Sequence, residues 1–277
     1  MTMSAQVNTQ PDLLLSLESR PERVAVVRRA ISGLAAPRLP RDVVERARLA
    51  VSEAVNNVVR HAYGTEIGGI NIALRLRDDG LDAMVRDAGK GFDPEVHGPG
   101  DGVGLTLMDG LANAFAYEAD AGGTTVSMRF ETVDDDTDVK TVTLECPSPA
   151  GLGKDEIVIA LQSGQPATAL ESVIALVAAQ VDLPLDRVGD ARTVVDAITA
   201  LAADGGLQGD QLTVALGLRE RAVQLEAGPF VAERLRQELD DQRLPGLGAV
   251  LARLAPGAQS AGDGAAAGLL RLVVAGA

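Results

Sequence analysis

Glu53 and Asn57 stand one helical turn apart in the stretch LAVSEAVNNVVRHAYG, so a carboxylate and an amide oxygen can converge on one hard cation that keeps part of its water. Val44, Val51, Val55, Val58 and Ala62 recur at helical spacing on the other side, which leaves one face to pack and one face polar. On a bare amphipathic helix such a polar face is simply solvated. It gains meaning from three segments further along the chain: Asp87-Ala88-Gly89-Lys90-Gly91-Phe92, then Gly102-Val103-Gly104-Leu105, then Gly122-Gly123-Thr124-Thr125-Val126. An acidic helix face, a D-x-G-x-G turn, a G-x-G and a G-T ahead of a strand, in that order and within one domain length, form a constellation.

In this combination the chain resembles the GHKL ATPase superfamily, and the E-A-x-x-N-x-x-x-H-A-Y form from Glu53 to Tyr63 is similar to the anti-sigma factor serine kinases. The resemblance implies ATP and Mg²⁺ as cofactors, with Asn57 holding the metal that bridges the phosphates. It implies Glu53 as general base for the attacking hydroxyl, a residue one turn from the metal ligand and so placed for positioning and deprotonation; orienting the site's waters is the alternative role. Asp87 would accept a hydrogen bond from the adenine amino group. Gly89 and Gly91 would let the backbone run close to the purine, and Thr124 would bond to the adenine or a nearby water. Gly98, Gly100, Gly102 and Gly104 would make a lid whose N–H groups, opening a helix at Leu105, cradle phosphate. Many relatives carry Arg or Lys just before this G-x-G; here Asp101 stands there, an extra carboxylate near a triphosphate. His61 and Tyr63 read as structural, since no Cys or second His is near in sequence to share a metal and a lone tyrosine usually packs.

The elements that position these residues can be read from pattern. Leu13 to Leu17 is a strand ahead of Pro21, and Val24, Val27, Ile31 and Leu34 mark a helix over Pro21 to Leu34. The central helix starts near Asp42, a candidate N-cap, after Pro37 and Pro40. Ile70 to Leu76 alternates as a strand, Asp78-Asp79-Gly80 turns the chain, and Leu81 to Arg86 delivers Asp87 at its end. A helix is expected over Leu105 to Phe115 and a strand over Thr124 to Phe130. The fold class is α+β, a two-layer α/β sandwich of the GHKL ATPase type with helices on one face of a mostly antiparallel sheet.

Residues 134–154, with Asp134-Asp135-Asp136 followed by Pro147, Pro149, Gly151 and Gly153, read as a linker, with one more strand over Val139 to Leu144 as the alternative. The unit before it, 1–133, is the expected ATP-binding kinase domain. Beyond it, 155–277 reads as a tandem repeat: a shift of 144 sets Leu14 to Leu17 on Val158 to Leu161, Leu39-Pro40-Arg41-Asp42 on Leu183-Pro184-Leu185-Asp186, and Gly102-Val103-Gly104 on Gly246-Leu247-Gly248. With a small deletion Ile72-Ala73-Leu74 meets Val214-Ala215-Leu216. The shift turns Glu53 into Ala197, Asn56 into Ala200, Asn57 into Leu201 and, across the deletion, Asp87 into Glu226, with Pro229 at the second glycine. Such a copy lacks the acid and the metal-facing amide, and is expected to be a pseudo-domain kept for packing or partner binding.

A net charge of −14 over 277 residues argues against a nucleic-acid backbone as partner. One cysteine, Cys146, excludes an intramolecular disulfide, and two histidines without a Cys cluster exclude an ordinary structural zinc site. The absence of a basic start with an apolar run, and of any membrane-spanning apolar length, points to a soluble cytoplasmic protein with no membrane partner. The family resemblance implies an ATP-binding anti-sigma factor that acts as a serine/threonine-protein kinase, sequestering a sigma factor and phosphorylating an anti-sigma antagonist protein. A catalytically inactive, nucleotide-gated anti-sigma or scaffold protein is the alternative. Relatives pair as homodimers, so the second copy is expected to take the partner's place within one chain, a pseudo-dimer with a single active site.

Overall fold

A computed structural model describes residues 9–90, 103–132, 142–149, 151–241, 246–261 and 267–276. The first strand is β1 (Leu13–Glu18), which buries Leu13, Leu15 and Leu17 completely. Two helices come next, α1 (Arg23–Ala35) and α2 (Arg41–Asn57), then a hairpin of β2 (Gly69–Leu76) and β3 (Gly80–Asp87). A short helix α3 (Val103–Leu111) leads to a second hairpin, β4 (Ala114–Asp120) and β5 (Gly123–Glu131). The second half runs through β6 (Glu156–Gln162), α4 (Thr168–Gln180), α5 (Leu185–Leu201), β7 (Gln211–Arg219), β8 (Ala222–Val231), α6 (Ala232–Asp240), α7 (Leu247–Leu254), β9 (Gln259–Ala261) and β10 (Ala267–Ala275).

These strands form one sheet in the order β4-β5-β3-β2-β1-β6-β7-β8-β10-β9, every neighbour antiparallel. The centre is the β1–β6 pair, Leu15 opposite Ile159, and outward from it the two halves present their strands in the same order. The bounds of α2 and α5, and of β5 and β10, differ by a constant 144 residues. Alternate strand residues such as Ile70, Ile72 and Leu74, or Leu212, Val214 and Leu216, join the helices in one apolar core, the period-2 consequence of covering one sheet face. Across the seam α1 packs on α4. This is the expected α+β two-layer architecture.

Four local expectations change. Asp42 does not cap α2: Pro40 precedes the helix, and Asp42 lies in the first turn, where its charge suits the positive helix end. The helical pattern past Asn57 continues as a π-turn, Val58–Ala62, which ends at Tyr63. The helix expected to reach Phe115 stops at Leu111, and Phe115 belongs to β4. That edge strand is exposed along most of its length, so it carries no in-out alternation for a sequence reader to find. Finally, among the described residues of the linker region, 142–149 form no strand. They lie against the sheet face away from the helices, where Val142, Leu144 and Cys146 pack on Ala73, Leu14 and Met84. Asn71 Nδ2 donates to the Pro147 carbonyl at 2.9 Å, and Arg86 Nη1 to that of Cys146 at 3.0 Å. Burial pushes the Cys146 thiol up to about 12, so it is an unreactive packing group.

Candidate functional site

α2 and α3 run side by side with their ends opposed. At one end Arg46 of α2 donates from Nη1 to the Leu111 carbonyl (3.1 Å) and to Asn113 Oδ1 (2.9 Å), which fixes the C-terminal end of α3. At the other end the first turn of α3 meets Glu53 and Asn57. A methyl group built on Gly104 would stand 2.8 Å from Glu53 Oε1 and 3.3 Å from Asn57 Nδ2. The absence of a side chain is what lets a helix N-terminus, with its unpaired N–H groups, approach a carboxylate and an amide this closely. Glu53 and Asn57 are both half-buried, neither sunk in the core nor fully in water.

Asp87 lies at the far end of β3 and is 2% exposed. Its Oδ1 accepts from the Gly89 N–H at 2.8 Å and the Thr124 N–H at 3.2 Å. Burial raises its carboxyl above the ordinary aspartate value, against the opposing pull of those bonds and of the Thr124 side chain. The turn after it is held to the π-turn: Lys90 N–H donates to the Ala62 carbonyl at 3.0 Å, and a methyl on Gly89 would collide with that same oxygen at 2.3 Å. The site therefore joins the described members of the expected set, Glu53 and Asn57 on the helix, Gly104 above them, and Asp87, Gly89 and Thr124 at the sheet end. Gly91 and Gly102, with Asp101 beside the latter, lie outside the described residues.

Between these groups is a cavity of about 40 Å³, lined by Asn57, Asp87, Leu105, Met108, Tyr117 and Thr124. That is room for a water molecule or two. Met108 is fully buried there and Leu105 half-buried, so side chains of α3 narrow the space between the helix and the sheet end. Sequence reading missed these two, whose only signal was an apolar helix directly after the G-x-G, which any packing helix would also give, and it missed Tyr117 on the edge strand β4. His61, read as structural, is exposed and contributes to the wall. A larger concavity lies elsewhere among the described residues, an open cleft of about 1020 Å³ on the outer sheet face of the second half. It lacks the acid and amide pair, so size does not locate the chemistry here.

The residues present suit a magnesium nucleotide. One carboxylate and one amide oxygen match an ion that keeps most of its ligands as water and phosphate. A buried carboxylate suits recognition of an exocyclic amine, and the bare Gly104 backbone suits phosphate. The second half offers no such set. Ala197 and Leu201 stand in α5 where Glu53 and Asn57 stand in α2. The register corrects the partner expected for Asp87: Val85 pairs with Ile72 as Ala227 pairs with Val214, so Pro229 falls in Asp87's place. Glu226, opposite Ala215, takes the place of Met84 and pairs instead with Arg271.

The family model for the histidine kinase-like ATPase domain matches residues 17–130, the span that contains all of these groups. The chain belongs to that family of ATPases. Within it, the serine-protein kinase RsbW of Bacillus cereus (strain ATCC 10987 / NRS 248) is 30% identical over 132 residues, covering 42% of this chain and 82% of that kinase. The RsbW kinases of Bacillus cereus (strain AH187) and Bacillus thuringiensis (strain Al Hakam) match at the same identity and coverage. The chain is thus a relative of the RsbW serine-protein kinases in its first half. Among solved structures, crystal form III of TP0453 overlays 96% of this chain and 90% of that one at a TM-score of 0.36 and 8% identity, a likeness that carries no argument. Among the described residues no helix is long and apolar enough to cross a membrane.

Proposed function

We propose that this protein is an ATP-dependent serine/threonine-protein kinase of the anti-sigma type, which holds a sigma factor in the cytoplasm and phosphorylates a serine of its antagonist protein. The observation that carries the reading is the meeting of Gly104 with Glu53 and Asn57 at the N-terminal end of α3, with Asp87 buried at the other end of the site. Asn57 would hold Mg²⁺, which supplies charge neutralisation at the phosphates. Glu53 would take the proton of the incoming serine hydroxyl, placed within one helical turn of the amide that fixes the phosphate end. Asp87 would accept from the adenine amino group, with Thr124 bonding beside it. Gly89 and Gly91 would let the loop pass close to the base. Gly102 and Gly104 would present backbone N–H groups to the phosphates.

In this reading residues 1–133 are the kinase, 134–154 the connection, and 155–277 a degenerate second copy that fills the position of a partner subunit. The antiparallel β1–β6 pair and the α1–α4 contact support this, since they occupy the edge and helix face through which a second kinase unit would continue the sheet. A solution mass of one chain is expected, and a two-chain mass with first halves in contact would sink the pseudo-dimer.

The deciding measurement is ATP titration of the purified chain with and without Mg²⁺. One site per chain is expected. Binding weakens roughly 10- to 100-fold in Asp87→Ala, the range for a hydrogen bond to a charged group, and loses its Mg²⁺ dependence in Asn57→Ala. No binding by the wild type would overturn the kinase. The small volume of the cavity, about 40 Å³, favours a second reading, a nucleotide-gated binding protein in which α3 moves but no phosphate is transferred. Glu53→Ala separates the two: in a kinase it abolishes transfer to the serine protein and leaves ATP binding in place.

A further inference from the structure

Tyr63 does more than pack. Its hydroxyl donates to the Gly69 carbonyl at 2.6 Å and accepts from the Ala88 N–H at 2.9 Å. Ala88 directly succeeds Asp87, whose carboxylate in turn takes the Gly89 N–H. The ring lies so flat on Gly68 that a methyl there would meet ring carbons at 2.1 Å, which fixes where the hydroxyl can be. From the residue before it, Ala62, the carbonyl holds Lys90. The D-x-G-x-G turn is therefore bonded at Ala88 by the phenol and at Lys90 by the π-turn, both extensions of the helix that carries Glu53 and Asn57. A π-turn adds a residue to the helical spiral and re-aims the side chain at its end, here the tyrosine.

The second half supplies an independent observation. It has a kinked turn in the same place, Ala202–Gly206, where Asp204 and Gly205 (φ 71°) leave helical geometry, and it keeps the element order after it. In the place of Tyr63 it has Leu207, which is extended and bridges to Phe230, while Gln208 N–H bonds the Pro229 carbonyl. The half with Ala197, Leu201 and Pro229 instead of acid, amide and carboxylate has thus also dispensed with the phenol. The same element order is built there without it.

We infer that Tyr63 is a positioning residue of the nucleotide site: its hydroxyl sets the backbone at Ala88 and thereby the direction of the Asp87 carboxylate, so that the site selects adenine over guanine. Guanine presents an oxygen where adenine presents its amine, and a buried carboxylate rejects that exchange only while it is held in line. Burial, with the Asp87 charge nearby, raises the phenol above its ordinary value, so it keeps the proton it donates to Gly69. The inference rests on the reading of this site as an adenine-nucleotide site.

Tyr63→Phe keeps the ring and removes the hydroxyl. Binding of ATP and GTP and the urea unfolding midpoint are measured for wild type, Tyr63→Phe, Asp87→Asn and the double variant. ATP binding weakens about 10-fold in Tyr63→Phe with GTP binding unchanged, so the ATP-to-GTP preference falls. In the Asp87→Asn background the same change has less than about a 2-fold effect, because the hydroxyl acts through the carboxylate. A lowered midpoint with an unchanged ATP-to-GTP preference, or full additivity in the double variant, overturns the inference and leaves Tyr63 as packing. A wild type that binds no ATP overturns the site reading itself and this inference with it. Should Tyr63→Phe not fold, amide exchange at Ala88 in the wild type decides: slowed exchange that slows further with ATP supports the inference, and unprotected exchange with or without ATP refutes it.

Discussion

Gly104→Ala and Gly89→Ala put the same methyl group into two parts of the site and are expected to fail differently. At Gly104 the nearest obstacle is Glu53 Oε1 at 2.8 Å, the far end of a flexible side chain. Close carbon–oxygen contacts settle at about 3.3 Å, so relief takes a displacement of roughly 0.5 Å by that carboxylate. Rotation of Glu53 supplies this cheaply, and alanine is the better helix former by up to about 1 kcal/mol, so stability stays within about 1 kcal/mol of wild type. Chemistry does not escape. A misplacement of about 1 Å costs on the order of 100-fold in rate, so half of that predicts a fall of about 10-fold, close to 1.4 kcal/mol of barrier. At Gly89 the obstacle is the Ala62 carbonyl at 2.3 Å, which is backbone and cannot rotate away. There the loss falls on stability, about 1–3 kcal/mol for overpacking, and on ATP binding. Urea unfolding, ATP titration and phosphate transfer to the serine protein read all three quantities. Gly104→Ala with wild-type turnover would show that Glu53 does not need its observed place. Gly89→Ala with wild-type stability would show that the turn does not depend on its contact with the π-turn.

Three further outcomes test the physical account. Asp82 is completely buried between the part-buried Arg75 (2.6 Å) and the buried Arg129 (2.8 Å), so Asp82→Asn should cost about 3–5 kcal/mol in urea unfolding by removing the buried charge that both guanidinium groups share, with ATP affinity of the folded fraction unchanged. Met108→Ala should cost about 2–5 kcal/mol by the same measurement, as for other buried methionines, while enlarging the cavity it lines and speeding ATP association in stopped flow. Because burial raises the Asp87 carboxyl, the folded chain holds that proton more tightly than the unfolded chain. Wild-type stability should therefore fall relative to Asp87→Asn as pH rises from the ordinary aspartate value through the raised one, and the difference should be constant above that window. Urea midpoints of both proteins from about pH 3 to pH 7 check it, and a difference growing in the opposite direction would mean the hydrogen bonds from Gly89 and Thr124 outweigh burial.

Sequence alone determined the helix that carries Glu53 and Asn57 and the strand that ends at Asp87, because apolar periodicity and the backbone demands of glycine and proline are local properties. It misread Phe115, since an edge strand in solvent has no alternation to display, and it read 134–154 as a linker, with a strand over Val139 to Leu144 as the alternative, where Val142, Leu144 and Cys146 pack on part of the second face of the sheet. It matched Asp87 to Glu226, because an alignment by residue type cannot see that strand register gives that place to Pro229. Tertiary structure alone decided that Gly104 reaches Glu53 and Asn57, that Leu105 and Met108 line the cavity, and that Tyr63 bonds the backbone beside Asp87. Each of these joins residues from different elements, and their approach depends on how α3 and the hairpins pack on α2, which no local pattern encodes.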